Sequence, residues 1–200
     1  MWGYNITNKK VKKLKLIFRN FITYKLLNSL FLGLSVGSIF TIYTPIKDPS
    51  IYSIGGIFLA VGMLAVAQLY QKILTIEWFY RISLFVELVM LAAILWFLKF
   101  PYTYQTALLV YSGYQLTFIF GSYLMRAETL IVEDDERLRL LDSAKQIGYL
   151  VGMAGSYVFY KILGYYGTTE NQSKVYDMHW LLLGAEILII ILIIISFKRR

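Results

Sequence analysis

The sequence predicts an all-α, polytopic membrane protein of about six transmembrane helices, and three observations carry that expectation. Of the 200 residues, 58% are hydrophobic and only 16% charged. A soluble domain of this length has too little interior to hide so much apolar surface. The apolar residues are also gathered into six segments, each near the ~20 residues needed to cross the hydrocarbon of a bilayer. Finally, the basic residues collect beside alternate segment ends, as they do when positive charge sets membrane orientation.

Residues 1–25 form a basic cytoplasmic N-terminal segment, in which Lys9, Lys10, Lys12, Lys13, Lys15, Arg19 and Lys25 are interleaved with Val11, Leu14, Leu16 and Phe18. That pattern suits either a short helix on the inner leaflet or a solvated positive tail. The transmembrane domain, 26–200, follows. The first expected span, Leu26–Ile46, is too long and too polar for a cleaved signal segment, so it reads as retained. The others are Ile51–Gln71, Trp78–Leu98, Tyr104–Met125, Gln146–Tyr166 and Trp180–Phe197. Pro49 and Pro101 break the helix where the chain must turn. Lys72 to Glu77 make a tight hairpin, Arg126 to Lys145 a longer acidic linker, and Gly167 to His179 a polar loop.

With the N-terminus inside and the spans alternating, 16 of the 20 basic residues fall on the inner side and 4 on the outer. This bias predicts a multi-pass protein of a bacterial inner-membrane type with both termini cytoplasmic, and it argues against insertion in both directions. The net charge of +8 is thereby assigned to orientation and to anionic lipid, so the bilayer is the expected partner and nucleic acid is not. The absence of cysteine excludes disulfides and thiolate chemistry, and a single histidine, His179, excludes a bis-histidine haem. No cofactor is expected. No phosphate-cradling loop, His-x-x-x-His pair or membrane serine-protease pattern is present, so the chain does not read as an enzyme. The acidic run Glu133 to Glu136 lacks the glycine and alternating ligands of a calcium loop and reads as a solvated turn, not as a metal site.

Two carboxylates fall within spans. Glu87 lies near the middle of the third and Glu186 in the outer half of the sixth. An ionisable side chain at that depth faces protein or water, which makes both candidates for proton coupling. Each could equally be a hydrogen-bonded tie between helices. The segments around them are alike in shape, and a lysine follows each twelve residues on, Lys99 and Lys198. That suggests a three-plus-three inverted repeat in which the third and sixth helices are counterparts. Polar stripes on the first and fourth helices (Ser35, Ser38 and Thr41; Tyr111, Ser112, Tyr114, Gln115 and Thr117) suit the lining of a hydrated cavity, although Ser and Thr can also bond their own backbone. Gly148, Gly152 and Ser156 on the fifth helix, with Gly56 and Ala60 on the second, permit close helix approach, within one chain or between two, and any dimer contact is expected through Gly56, Ala60, Gly148 and Gly152.

The stretch from the fourth to the fifth helix resembles the corresponding part of the major facilitator superfamily. It reads Ala127 and Glu128 at the end of the fourth helix and the pair Glu136 and Arg137 in the loop. A glycine-spaced fifth helix follows, Ser143-Ala-Lys-Gln-Ile-Gly148-Tyr-Leu-Val-Gly152. The loop between the second and third helices departs from the family pattern: only Glu77 and Arg81 correspond, and the gating role of that loop is not carried over. The resemblance covers the chain as one six-helix half of a twelve-helix transporter. It implies a half-size secondary carrier of a small solute that acts as a homodimer or with a related six-helix chain. It further implies an alternating-access cavity between the first and fourth helices, with Gln115, Tyr111, Tyr114 and Ser38 as substrate contacts and Glu87 and Glu186 as proton-coupling residues. The rival expectation is a non-transporting membrane subunit or assembly factor with its carboxylates buried as helix ties.

Overall fold

A computed structural model describes residues 14–199 of the chain. Of the expected basic segment, residues 1–13 lie outside the described residues. The remainder is not a surface helix. Leu14–Leu16 forms a short strand, β1, and the first helix, α1 (Phe18–Ile42), begins well before Leu26. The other helices are α2 (Ser50–Gln68), α3 (Tyr70–Ile73), α4 (Ile76–Lys99), α5 (Tyr104–Ile119), α6 (Gly121–Val132), α7 (Asp135–Tyr165) and α8 (Asn171–Ile195), before a terminal strand, β2 (Phe197–Arg199). The fold is all-helical apart from that strand pair. Four of the helices, α1, α2, α4 and α8, are long and apolar enough to cross a membrane, as a membrane-embedded protein requires. The Ile-rich run in α8 would favour a strand in water. In hydrocarbon, a helix satisfies every backbone group within the segment, and that demand outweighs β propensity.

Local chemistry sets the helix boundaries. The hydroxyls of Thr75 and Thr103 accept from the backbone N–H of Trp78 and Thr106 and start α4 and α5. Asp134 does the same for α7, taking the N–H groups of Glu136 and Arg137, while Asp135 and Glu136 place negative charge in the first turn. The acidic run is a solvent-exposed turn, as expected, with Arg137 beside Asp134, and it also caps α7. The expected 126–145 linker is itself almost wholly helical, broken only at Glu133 and Asp134, with Glu133 left-handed at φ 53°. The expected loop before the last helix is shorter too, because α8 begins at Asn171 and takes His179 into the bundle.

β1 and β2 pair antiparallel, Leu14 opposite Arg199 and Leu16 opposite Phe197. The first and last described segments therefore meet at one end of the bundle. The Phe197 side chain packs there against Phe21, Phe79 and Tyr80 with ring centroids 5.1 to 6.2 Å apart.

Helix neighbours follow the order α7, α1, α8, α4, α5, α2. The α1–α7 contact is the most extensive, and its two helices run parallel, with Leu26 beside Gly148, Leu30 beside Gly152 and Ser38 beside Tyr160. A Cβ on Gly148 or Gly152 would strike the carbonyl oxygens of Leu26 or Leu30, and one on Gly33 would come within 2.8 Å of the Met153 nitrogen. These glycines are consumed inside the chain, so Gly148 and Gly152 are not free for the dimer contact expected of them. Gly56, with nothing within 4 Å of its Cβ position, stays open.

Candidate functional site at the α4–α8 contact

Residues buried on α4 recur as Phe79, Ser83, Glu87, Met90, Ile94 and Phe97, and those on α8 as Val175, His179, Leu182, Glu186, Ile189 and Ile193. Both sets are spaced by three or four, which gathers each on one helical face. The two faces meet, which brings Glu87 and Glu186 toward each other inside the bundle.

Glu87 is only 2% exposed. Its Oε1 accepts a 2.5 Å hydrogen bond from the Tyr24 hydroxyl, and the Asn28 amide donates to Oε1 at 3.0 Å and Oε2 at 3.3 Å. Tyr24 and Asn28 stand one turn apart on α1, so a single face of that helix holds the carboxyl. Glu186 is fully buried, and neither of its oxygens has a hydrogen-bond partner among the described residues. The same is true of Ser83, one turn from Glu87. A buried carboxyl left without a partner is costly, and facing carboxyls meet that cost by sharing a proton or by recruiting water.

A second cluster lies nearer the terminal end. Glu128 on α6 is 4% exposed and binds two ammonium groups, Lys25 at 2.6 Å and Lys145, the latter also 2.9 Å from Asp142. Lys25 sits over the rings of Phe21, Tyr24 and Phe79 at 5.5 to 5.8 Å, a cation–π environment. Burial lowers the pKa of Lys145, but the hydrogen bonds and charges of Glu128 and Asp142 outweigh it and leave the group above its ordinary value. Adjacent residues of α1 thus serve both clusters, Tyr24 reaching Glu87 and Lys25 reaching Glu128.

The four expected substrate contacts are not gathered in one cavity. Ser38 is buried and hydrogen-bonded to Tyr160 at 2.9 Å. Tyr111 donates to the Tyr52 carbonyl at 3.1 Å and packs its ring against Tyr43 and Tyr52. Gln115 is half-buried with its amide oxygen unpartnered. Tyr114 and Ser38 both line a small cavity of about 20 Å³. Sequence reasoning did not assign Lys25, Glu128 and Lys145 to one site, although Glu128 stood out beside Ala127. The signal was its place on the buried face of α6 with Tyr123 and Val132. Among the described residues no group of His, Asp and Glu could hold a metal ion.

Comparison with protein-family models, with curated proteins and with solved structures finds no match for this chain.

Proposed function

We propose that the chain is one six-helix half of a secondary carrier of a small solute, acting as a homodimer or with a related six-helix chain, with the Glu87–Glu186 pair coupling solute movement to protons. In this reading the spans are α1, α2 with α3, α4, α5 with α6, α7 and α8, and both termini face the cytoplasm. The observation that carries it is the pattern of helix neighbours. Numbered as spans, the first packs on the fifth and sixth, the fourth on the second and third, and the third on the sixth. Exchanging first for fourth, second for fifth and third for sixth turns each of these, the most extensive contacts between spans, into another of them, or into itself. Inverted repeats of transporters have that property. Glu87 and Glu186 are counterparts in the exchange, and they meet at the one contact that maps onto itself. A cavity of about 20 Å³ is too small for a solute, so substrate would lie between two chains.

One observation favours a second reading, a non-transporting membrane subunit. Glu87 is tied to α1 by Tyr24 and Asn28, as a structural carboxyl would be. Glu87→Gln separates the two readings. A thermal-shift screen of small solutes first supplies a ligand, and the purified variant is then assayed in liposomes. The carrier reading expects a folded, solute-binding protein that no longer accumulates solute against a proton gradient. Accumulation at the wild-type rate across roughly pH 6 to 8 would refute the coupling role. A strictly monomeric particle mass in nanodiscs would overturn the half-carrier itself.

A further inference from the structure

α6 is two-sided. Tyr123, Ala127, Glu128 and Val132 are buried, while Ser122, Arg126 and Thr129, spaced by four and three, stand together on the exposed side. These three form the polar edge of an open groove of about 620 Å³ between α6 and α3, and Leu74, Met125 and Leu130 form its apolar wall. That volume falls within the ~300–1,000 Å³ usual for small-ligand sites.

The groove holds its one cation in place. The Tyr123 hydroxyl donates to the Ile73 carbonyl at 2.7 Å, which pins α6 to the C-terminal end of α3. The Tyr70 ring packs on Tyr123 with centroids 6.2 Å apart, and the Arg126 guanidinium lies over the Tyr70 ring at 5.6 Å. Stacking of this kind orders a guanidinium and leaves its N–H edge for an oxyanion. Among the described residues no carboxylate lies within ion-pair reach of Arg126, and Glu128, two residues on, is buried and taken up by Lys25 and Lys145. The Thr129 hydroxyl gives its hydrogen to the Met125 carbonyl at 3.1 Å and keeps its lone pairs. An oriented cation therefore stands beside an acceptor for a hydroxyl, with an apolar wall below both.

The place of the groove in the membrane selects the occupant. α2 and α4 are each long and apolar enough to cross a bilayer, and α3 lies in the turn between them. The groove thus opens where hydrocarbon meets headgroups. The exposed Trp78 ring, with Arg81 over it at 5.4 Å, marks the same boundary at the start of α4. Glu133, in an adjoining groove that shares Leu74 and Leu130, is the one carboxylate lining either among the described residues. Its charge opposes a doubly charged free phosphate more than a singly charged phosphodiester.

We propose that this groove binds one anionic phospholipid, with the phosphodiester on Arg126, headgroup hydroxyls toward Thr129 and acyl chains along Leu74, Met125 and Leu130. Phosphatidylglycerol has that chemistry. The site requires a membrane-embedded chain and does not depend on the carrier reading given above.

Native mass spectrometry of the whole protein in detergent tests it, with an equimolar mixture of phosphatidylglycerol and phosphatidylcholine of the same acyl chains. One phosphatidylglycerol should stay on the wild type after phosphatidylcholine has dissociated. Arg126→Gln should weaken that retention roughly tenfold, as loss of a charge-assisted contact does. Arg126→Lys should recover part of it, because the charge returns without the planar fork. Arg139→Gln removes the same charge from an exposed position outside the groove and should retain the lipid as the wild type does. Phosphatidylglycerol should also raise the Tm of the wild type and not that of Arg126→Gln, while the two delipidated proteins unfold alike. Equal retention of both lipids by the wild type, or equal loss in Arg126→Gln and Arg139→Gln, overturns the site. Displacement of the lipid by an equal concentration of glycerol phosphate makes the ligand a soluble phosphate and overturns the lipid. A wild-type dimer that retains no lipid and that Arg126→Gln dissociates makes the groove a seat for a second copy, and overturns the proposal as well.

Discussion

Replacing Gly152 with alanine adds one methyl group to the seam between α1 and α7. The new carbon would strike the Leu30 carbonyl oxygen and stand 3.0 Å from the Gly33 Cα. Both are backbone atoms, so no side chain can swing aside and the helices themselves must separate. Forcing a methyl group into packed interior costs about 1–3 kcal/mol, and a backbone obstacle argues for the upper end. Alanine returns about 1 kcal/mol through its better helix propensity. The net destabilisation is about 2 kcal/mol, close to a 30-fold shift in the folding equilibrium. Reversible unfolding in mixed micelles, titrated with a denaturing detergent, measures it. Gly56→Ala is the control, since nothing lies within 4 Å of its Cβ position, and it should be neutral or slightly stabilising. The double variant Gly148→Ala with Gly152→Ala should cost less than the sum, because helices parted for one methyl group accommodate the next. A Gly152→Ala protein as stable as the Gly56→Ala control would refute the close-packed seam.

Glu128→Gln strips the shared partner from two ammonium groups. Breaking a buried pair costs about 3–5 kcal/mol, and the 25% exposure of Lys145 puts this case near the low end. Lys25→Met in the same background should recover part of the loss, and no recovery in a double-mutant cycle would remove Lys25 from the triad. Because the folded pKa of Lys145 is raised, its contribution is complete below the ordinary lysine value and fades as pH rises through the folded one. Alkaline unfolding should begin at lower pH in Glu128→Gln. Single cysteines at Asn8, Asp135 and Asn171 test orientation in this cysteine-free chain. An impermeant reagent outside intact cells should label only the position at 171, and labelling at 135 instead reverses the topology.

The helical architecture was legible because its signals are local: apolar length marks the spans, and alternate spacing of three and four marks the buried faces of α4 and α8. Glu87 and Glu186 stood out for the same reason, as carboxyls inside apolar runs. The ends of α1, α6 and α7 were misjudged where charged residues suggested water. Lys25 and Glu128 are buried because they meet each other, and a pairing across more than a hundred residues leaves no trace in local composition. Reading Gly148 and Gly152 as sites of close approach was sound; whether the partner is in the same chain is a property of topology, which spacing does not encode. The polar stripe of α1 was visible too, yet the inward direction of Ser35 and Ser38 is decided by α7 and α8.

The parallel seating of α1 against α7 and α8 has a consequence for biogenesis. Among the described helices α1 is made first, and its principal neighbours α7 and α8 are made last. Asn28 and Lys25 wait for α4 and α6 to supply Glu87 and Glu128. The insertion machinery, or an early pairing with α4, must shelter this helix while most of the chain is still being synthesised. The β1–β2 pair then joins the first described residues to the last, so the bundle closes only once α8 and β2 have been made.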